Sequence, residues 1–203
     1  MSLISPPLIL ASSSPYRVEL MRRLGVPFEA RSHRFDESSL KAEGLTPDAL
    51  AAALADAKAA SLREAFPDRT ILGSDQVADL DGEVLDKPET AERAEVQLAM
   101  LAGRTHRLLT AVTLLCPDGR TFRALDIHHL TMRPLTAVAI ADYVRRDVPL
   151  DCCGSYKIER LGIALFSAID GADFTAIMGL PMIAVVNMLA KAGVSVLTAA
   201  EDT

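Results

Sequence analysis

Residues 8–25 read LILASSSPYRVELMRRLG, and the junction inside this stretch decides how the chain begins to fold. Leu8 to Ala11 is a short apolar run that suits a buried strand. Ser14 then stands where a helix N-cap is wanted, with Pro15 at the first helical position, where its missing N–H costs nothing. Val18, Met21 and Leu24 fall on one stripe, Arg22 and Arg23 occupy the last turn, and Gly25 supplies the C-terminal stop. A helix therefore starts where a strand ends. Its N-terminus offers free N–H groups, serine hydroxyls and Arg17 to an anion. An ordinary capped helix explains these residues without a ligand; a phosphate cradle is the functional alternative.

Further along, Thr46-Pro47-Asp48 repeats the cap-and-proline signal and opens a helix with Leu50, Leu54, Ala57 and Phe66 on or near one face and Lys58 in its middle. Residues 70–88, TILGSDQVADLDGEVLDKP, read as a strand, a tight Asp81-Gly82 turn and a return strand stopped by Pro88. Thr90 caps a helix that runs to Ala102 and ends at Gly103. Residues 107–116 and 120–131 form a second hairpin around Pro117-Asp118-Gly119. A helix from about Thr136 to Arg146, a loop at 147–155 and an apolar strand GIALFS at 162–167 follow. The last helix runs from Pro181 to before Gly193, and its apolar residues, Met182 to Leu189, cover most of its circumference, which predicts a helix buried on all sides. Helices interleaved with hairpins, without an internal repeat or a Gly/Ser linker, predict one domain over residues 1–203. Its class is α/β: a mixed, twisted sheet with flanking helices and a cleft between packed layers.

Composition narrows the function. The chain has 203 residues, 50% of them hydrophobic and 24% charged, enough for a substantial core and against extended disorder. A net charge of -6 without a Lys/Arg block argues against nucleic acid or a membrane surface as partner, while a small anion needs only a few local cations. The N-terminus lacks the layout of a signal peptide, and the longest apolar run, near residues 180–190, is too short to span a bilayer. The expectation is a soluble, cytoplasmic protein. Cys116, Cys152 and Cys153 lack metal-ligand spacing and read as reduced structural thiols. Adjacent His128 and His129 face opposite ways in a strand, and His33 and His106 stand alone, so a zinc set is not expected.

Candidate chemistry begins at Asp75, where a buried strand emerges; the residue is either a solvated strand end or a functional acid. A two-residue turn at 81 and 82 sets Leu80 opposite Glu83 and brings Lys87 opposite Gln76, next to Asp75. Strict alternation puts Lys87 on the face of Gln76, so contact with Asp75 needs local twist or a bulge. Asp36 and Glu37, in RFDESS, are either a solvated turn or contribute one ligand of a divalent ion; Mg²⁺ beside a triphosphate takes one or two carboxylates, phosphate oxygens and water. Residues 152–162, CCGSYKIERLG, taken alone read as a charged surface turn.

Taken together, LASSSPYR, the Asp36-Glu37 pair, Lys58 in DAKAASL, GSDQV, DKP and CCGSYKIERLGIALF…GLP resemble the Maf family of nucleoside triphosphate pyrophosphatases, in order and over nearly the whole chain. Tyr16, Gln76 and Glu159 resemble the YceF-type branch, associated with 7-methyl-GTP; the branch prone to dTTP and UTP has Arg, Thr and Gln at those places. One departure is Arg160, where the branch usually has Gly. The resemblance implies a fold similar to inosine triphosphate pyrophosphatases, two lobes around a cleft, and hydrolysis of a nucleoside triphosphate to monophosphate and pyrophosphate with a divalent cation, Mg²⁺ or Mn²⁺. It implies Asp75 as proton acceptor; Ser12, Arg17, Lys58 and Lys87 as phosphate ligands; Glu37 with Asp75 at the metal; and Tyr16, Gln76 and Glu159 as selectors of the base. It leaves a homodimer open. The alternatives are a dTTP/UTP pyrophosphatase of the same family and a nucleotide-binding regulator of cell division without turnover. Asp75 together with Lys58 and Lys87 favours catalysis, because a sensor needs the cations but not the base.

Overall fold

In the computed structural model, which describes residues 8–197, the opening junction folds as its residues direct: β1 is Leu8–Leu10 and α1 is Pro15–Arg23. The chain continues through β2 (Phe28–Ala30), α2 (Ser38–Lys41), α3 (Pro47–Ala60), β3 (Ile71–Leu80), β4 (Glu83–Leu85) and α4 (Ala91–Leu101). Then come β5 (Thr105–Leu115), β6 (Thr121–Met132), α5 (Ala137–Asp147), β7 (Phe166–Asp170), α6 (Phe174–Ile177) and α7 (Met182–Lys191). Short 3-10 turns at Cys153–Ser155 and Leu161–Leu165 lie between α5 and β7. Thr46, Thr90 and Thr136 each accept a hydrogen bond from the N–H three residues on, which starts α3, α4 and α5 where the sequence places them.

The strands form one mixed sheet in the order β2-β1-β3-β5-β6-β7, with β4 pairing β3. β1 runs parallel to β2 and β3; the remaining pairs are antiparallel. The first hairpin keeps the expected register, Leu80 opposite Glu83. Asp81 and Gly82 both adopt positive φ, as a two-residue turn requires, and Asp79 accepts the Gly82 N–H at 2.7 Å. Along β3, β1 pairs only with Ile71 and Leu72, and β4 only with Ala78, Asp79 and Leu80. Among the described residues, positions 73–77 of β3 therefore have β5 on one side and no strand on the other. Asp75 lies in the middle of that gap.

Alternation along β3 assigns its two faces. Val77 packs with Leu50 and Leu54 of α3, and Gly73 lies under Ala55 and Ala59 of the same helix. On the opposite face Leu72 packs with Leu180, Val185 and Leu189, and Ser74 donates to the Gly179 carbonyl. One helical layer thus covers Asp75, and the α6–α7 layer covers Gln76.

Three expectations change. GIALFS is not a strand throughout: Leu161–Leu165 coils into a 3-10 turn and the strand begins at Phe166. A short apolar run does not declare its conformation by periodicity, and here the Gly162 N–H is taken by Lys157 O and Asp147 Oδ2. The last helix is not buried on all sides, because α7 packs on one face of the sheet through Val185, Met188 and Leu189 while Ile183 is 60% exposed. α3 ends at Ala60, so Phe66 reaches the core from the turns that follow and packs beside Ala59, Leu62 and Ile71. Among the described residues no helix is long and apolar enough to cross a membrane.

Candidate active site

A cavity of about 420 Å³ opens at the gap beside β3. At its floor the Lys58 ammonium lies 2.5 Å from Asp75 Oδ1 and 2.8 Å from Glu37 Oε1. Lys58 sits one turn beyond Ala55, the helical residue that closes on Gly73, so the contact between α3 and β3 delivers the lysine to the carboxylate two positions along the strand. Lys58 is 5% and Asp75 7% exposed, and each charge has its counter-charge at hydrogen-bond distance. Burial works against ionisation of Glu37, but the hydrogen bond and charge of Lys58, followed by Lys41 and His33, outweigh it and hold the carboxyl below its ordinary value. The neighbouring Asp36 is used otherwise: it accepts the Ser38 N–H and hydroxyl at 3.0 and 2.9 Å, at the start of α2. The two acids that the sequence left together are thereby separated into a turn-former and a site residue.

Cationic groups from several elements line the same cavity. Arg17 donates Nε–H to the Gly179 carbonyl at 3.0 Å, the oxygen that also accepts from Ser74. Gly179 has φ +114, a conformation that favours glycine, and that turn brings its carbonyl to both donors. Lys41 lies 2.5 Å from Asp86, and Arg93 is at the rim. Lys87 lines the cavity too, although not as an extension of the hairpin ladder. Pairing stops at Ala78 and Leu85, and Pro88, which has no N–H to donate, ends the segment. Gln97 of α4 fixes that segment by donating to the Asp86 carbonyl at 2.8 Å.

The serines divide their work. Ser12 is buried, its hydroxyl accepts the Ser14 N–H at 3.1 Å, and it is not among the residues lining the cavity. Ser14 occupies the N-cap position of α1 with extended backbone, makes no capping bond and lines the cavity. The serine that lines the cavity is thus Ser14, with the Ser12 hydroxyl bonded to the Ser14 N–H.

The residues expected to select a base line the same cavity. Tyr16 and Glu159 line the cavity, and Glu159 is exposed. Arg160 does not pair with Glu159: its Nε lies 3.8 Å from Asp147. Gln76 also lines the cavity, while its amide nitrogen is within 2.9 Å of Ala176 O, 3.0 Å of Thr110 Oγ1 and 3.1 Å of Ile177 O, holding α6 against the sheet. Cys153 donates to the Gln76 carbonyl at 3.5 Å. Burial pushes the Cys153 thiol up to about 11 and Cys152 up to about 12, which keeps both protonated near neutrality.

The Maf-like protein family profile matches residues 7–192. The chain belongs to the Maf family. A relative from Xanthomonas campestris pv. campestris named 7-methyl-GTP pyrophosphatase is 48% identical over 190 residues, covering 94% of this chain and 98% of its own. Another of that name, from a Polaromonas species, is 47% identical over 192 residues, covering 94% of this chain and 87% of its own. Among solved structures, the Staphylococcus aureus Ham1 protein matches 63% of this chain and 72% of its own at 14% identity, with a TM-score of 0.44.

For this Maf family member, the cavity gathers Arg17, Glu37, Lys58, Asp75 and Lys87 from segments far apart in sequence, together with Tyr16, Gln76 and Glu159. Lys41, Arg93 and Asp151, which the sequence did not single out, line it as well. A signal existed for Lys41, which follows Glu37 at the i,i+4 spacing of a helical ion pair and lies 3.9 Å from it. Arg93 and Asp151 had none.

Proposed function

We propose that this protein hydrolyses the bond between the α and β phosphates of 7-methyl-GTP, releasing 7-methyl-GMP and pyrophosphate. The observation that carries the reading is Lys58 held between Asp75 and Glu37 on the cavity floor, with Arg17, Lys41, Lys87 and Arg93 around it. The names of the Xanthomonas and Polaromonas relatives supply the base.

In this reading Asp75 accepts the proton of the attacking water, because it is the acid that the strand gap leaves open to the cavity beside the cations. Lys58 fixes the direction of the Asp75 and Glu37 carboxylates. Arg17, Lys87 and the N-terminus of α1, with Ser14, hold the phosphates and offset the charge that builds on the leaving pyrophosphate. No covalent intermediate is needed; positioning and charge neutralisation carry the reaction. The donor set fits a hard divalent cation such as Mg²⁺ or Mn²⁺: Glu37 and Asp75 approach the same ammonium group, so their carboxylates stand side by side, and two carboxylates with phosphate oxygens and water complete such an ion. Bound there, the ion would polarise the phosphate and neutralise its charge. Tyr16, Gln76 and Glu159 are the base-reading candidates, with the Glu159 carboxylate able to accept from both N1–H and the 2-amino group of guanine.

Product analysis tests the reaction. Chromatography of a Mg²⁺ reaction with 7-methyl-GTP should show 7-methyl-GMP and pyrophosphate in equal amounts. Orthophosphate and 7-methyl-GDP as products would contradict the reading.

A further inference from the structure

Asp151 lies in the loop between α5 and the Cys153–Ser155 turn and lines the cavity with a side chain 55% exposed. Its two oxygens differ in use. Oδ1 lies 3.1 Å from the Lys157 ammonium and receives the Cys152 thiol at 3.6 Å. Oδ2 has one long contact, the Tyr16 hydroxyl at 3.5 Å. Lys157 is built in: its side chain is 10% exposed, and it also donates to the Val148 carbonyl at 3.1 Å. Val148 adopts φ 46, unfavourable for a β-branched residue, so the loop carries strain where it presents that carbonyl. Burial works against the Asp151 charge, yet the hydrogen bond and charge of Lys157 hold its carboxyl below the ordinary value.

The cavity therefore carries two sets of lining residues of different character. Arg17, Lys58 and Lys87 supply cations to it; Tyr16, Asp151 and Glu159 supply an aromatic ring and two carboxylates, with the Tyr16 hydroxyl 3.5 Å from Asp151 Oδ2. An ordinary guanine can use one of these carboxylates, Glu159, on its Watson–Crick edge, and has no use for a second. A base that carries positive charge does, because carboxylates strengthen hydrogen bonds from a cationic ring and an electron-rich ring attracts its face.

Resting on the reading of 7-methyl-GTP as substrate, we propose that Asp151 is a specificity-determining residue whose Oδ2, steered by Lys157 and Tyr16, recognises the cationic 7-methylguanine ring. Oδ1 anchors the group and Oδ2 faces the ligand. Lys157 is a positioning residue in this arrangement. Glu159 can read the Watson–Crick edge of any guanine, whereas the charge at Asp151 discriminates methylated from unmethylated base.

The test compares kcat/KM for 7-methyl-GTP and for GTP in wild type, Asp151→Asn and Asp151→Glu, with thermal melting of each variant and calorimetric binding of 7-methyl-GMP and GMP. Asp151→Asn keeps the shape and removes the charge; it should lower the ratio of kcat/KM for 7-methyl-GTP over GTP by about tenfold, and the binding ratio of the two monophosphates in parallel. Asp151→Glu, which restores the charge, should recover part of the preference. An unchanged ratio in Asp151→Asn, or an equal fall for both substrates, overturns the proposal. A wild-type protein with no preference for 7-methylated ligands in turnover or binding overturns the substrate reading first, and this proposal with it. Preference kept in the variant sinks the proposal alone.

Discussion

A Cβ placed on Gly73 would lie 2.3 Å from the carbonyl oxygen of Ala55. The backbone of α3 and the backbone of β3 are thus in direct contact at this point, and only glycine permits it. Because the obstacle is a helix carbonyl and not a flexible side-chain end, Gly73→Ala must push α3 off the sheet. The expected cost is about 1–3 kcal/mol from overpacking, with activity reduced further because Lys58 moves with the helix. Urea denaturation and steady-state kinetics on the variant check this; normal stability and normal kcat would show that the contact does not set the site.

Lys58→Met removes the cation between two carboxylates. Asp75 then loses its buried counter-charge, while Glu37 keeps only the more distant Lys41 at 3.9 Å and His33 at 3.6 Å, and breaking a buried pair this way costs about 3 kcal/mol. The loss should shrink when the buffer contains millimolar Mg²⁺, since a cation between the two carboxylates replaces part of the missing charge. Melting curves with Mg²⁺ and with a chelator measure it, and a Mg²⁺-insensitive variant would argue against those carboxylates as the metal ligands.

Much of this was legible in the sequence, for identifiable reasons. Caps and turns are local: Thr46, Thr90, Thr136 and Asp81-Gly82 behave as their chemistry dictates, and the Leu80–Glu83 register followed from the turn length. Lys58 and Asp75 were visible as single residues but not as a pair, because their meeting depends on how closely α3 approaches Gly73. Lys87 lines the cavity, but not by the expected pairing opposite Gln76, since its segment leaves the ladder after Leu85. Ser12 and Ser14 share one motif, and only the direction of each hydroxyl separates them. Asp151 gave no signal because a lone acid in a loop looks like a solvated one; its partners Tyr16 and Lys157 come from elsewhere in the chain.

Those two serines make a divided prediction. Ser12→Ala deprives the Ser14 N–H of its acceptor and should cost about 1 kcal/mol of stability, with KM changed only through the turn. Ser14→Ala should leave melting nearly unaltered and raise KM severalfold, as expected when one phosphate contact is lost. Paired melting and kinetic measurements decide; the opposite pattern would return Ser12 to the role of direct phosphate ligand.

His106 predicts an acid-sensitive component of stability. Its ring is 2% exposed with Nε2 2.9 Å from the Tyr156 hydroxyl, and burial pushes its pKa down to about 4 despite the opposing charge of Asp79. When unfolded it titrates near the ordinary 6.5. Between those values the unfolded chain binds the extra proton, so stability falls as pH drops from about 6.5 to about 4, by about 3 kcal/mol from this group. His106→Gln removes the term. Chemical denaturation across that range should show the stability difference between wild type and variant shrinking as pH falls, whereas curves that stay parallel would mean that His106 does not carry it.

The central claim is that Asp75 is the proton acceptor for the attacking water, and the most direct measurement is the single-turnover rate of pyrophosphate release from 7-methyl-GTP by Asp75→Asn at saturating Mg²⁺. Asparagine keeps the size of the side chain and one acceptor oxygen but cannot take the proton. The account predicts a rate about 10²–10⁴-fold below wild type with bound substrate still detectable; release at a rate close to wild type would contradict it and move the role to Glu37.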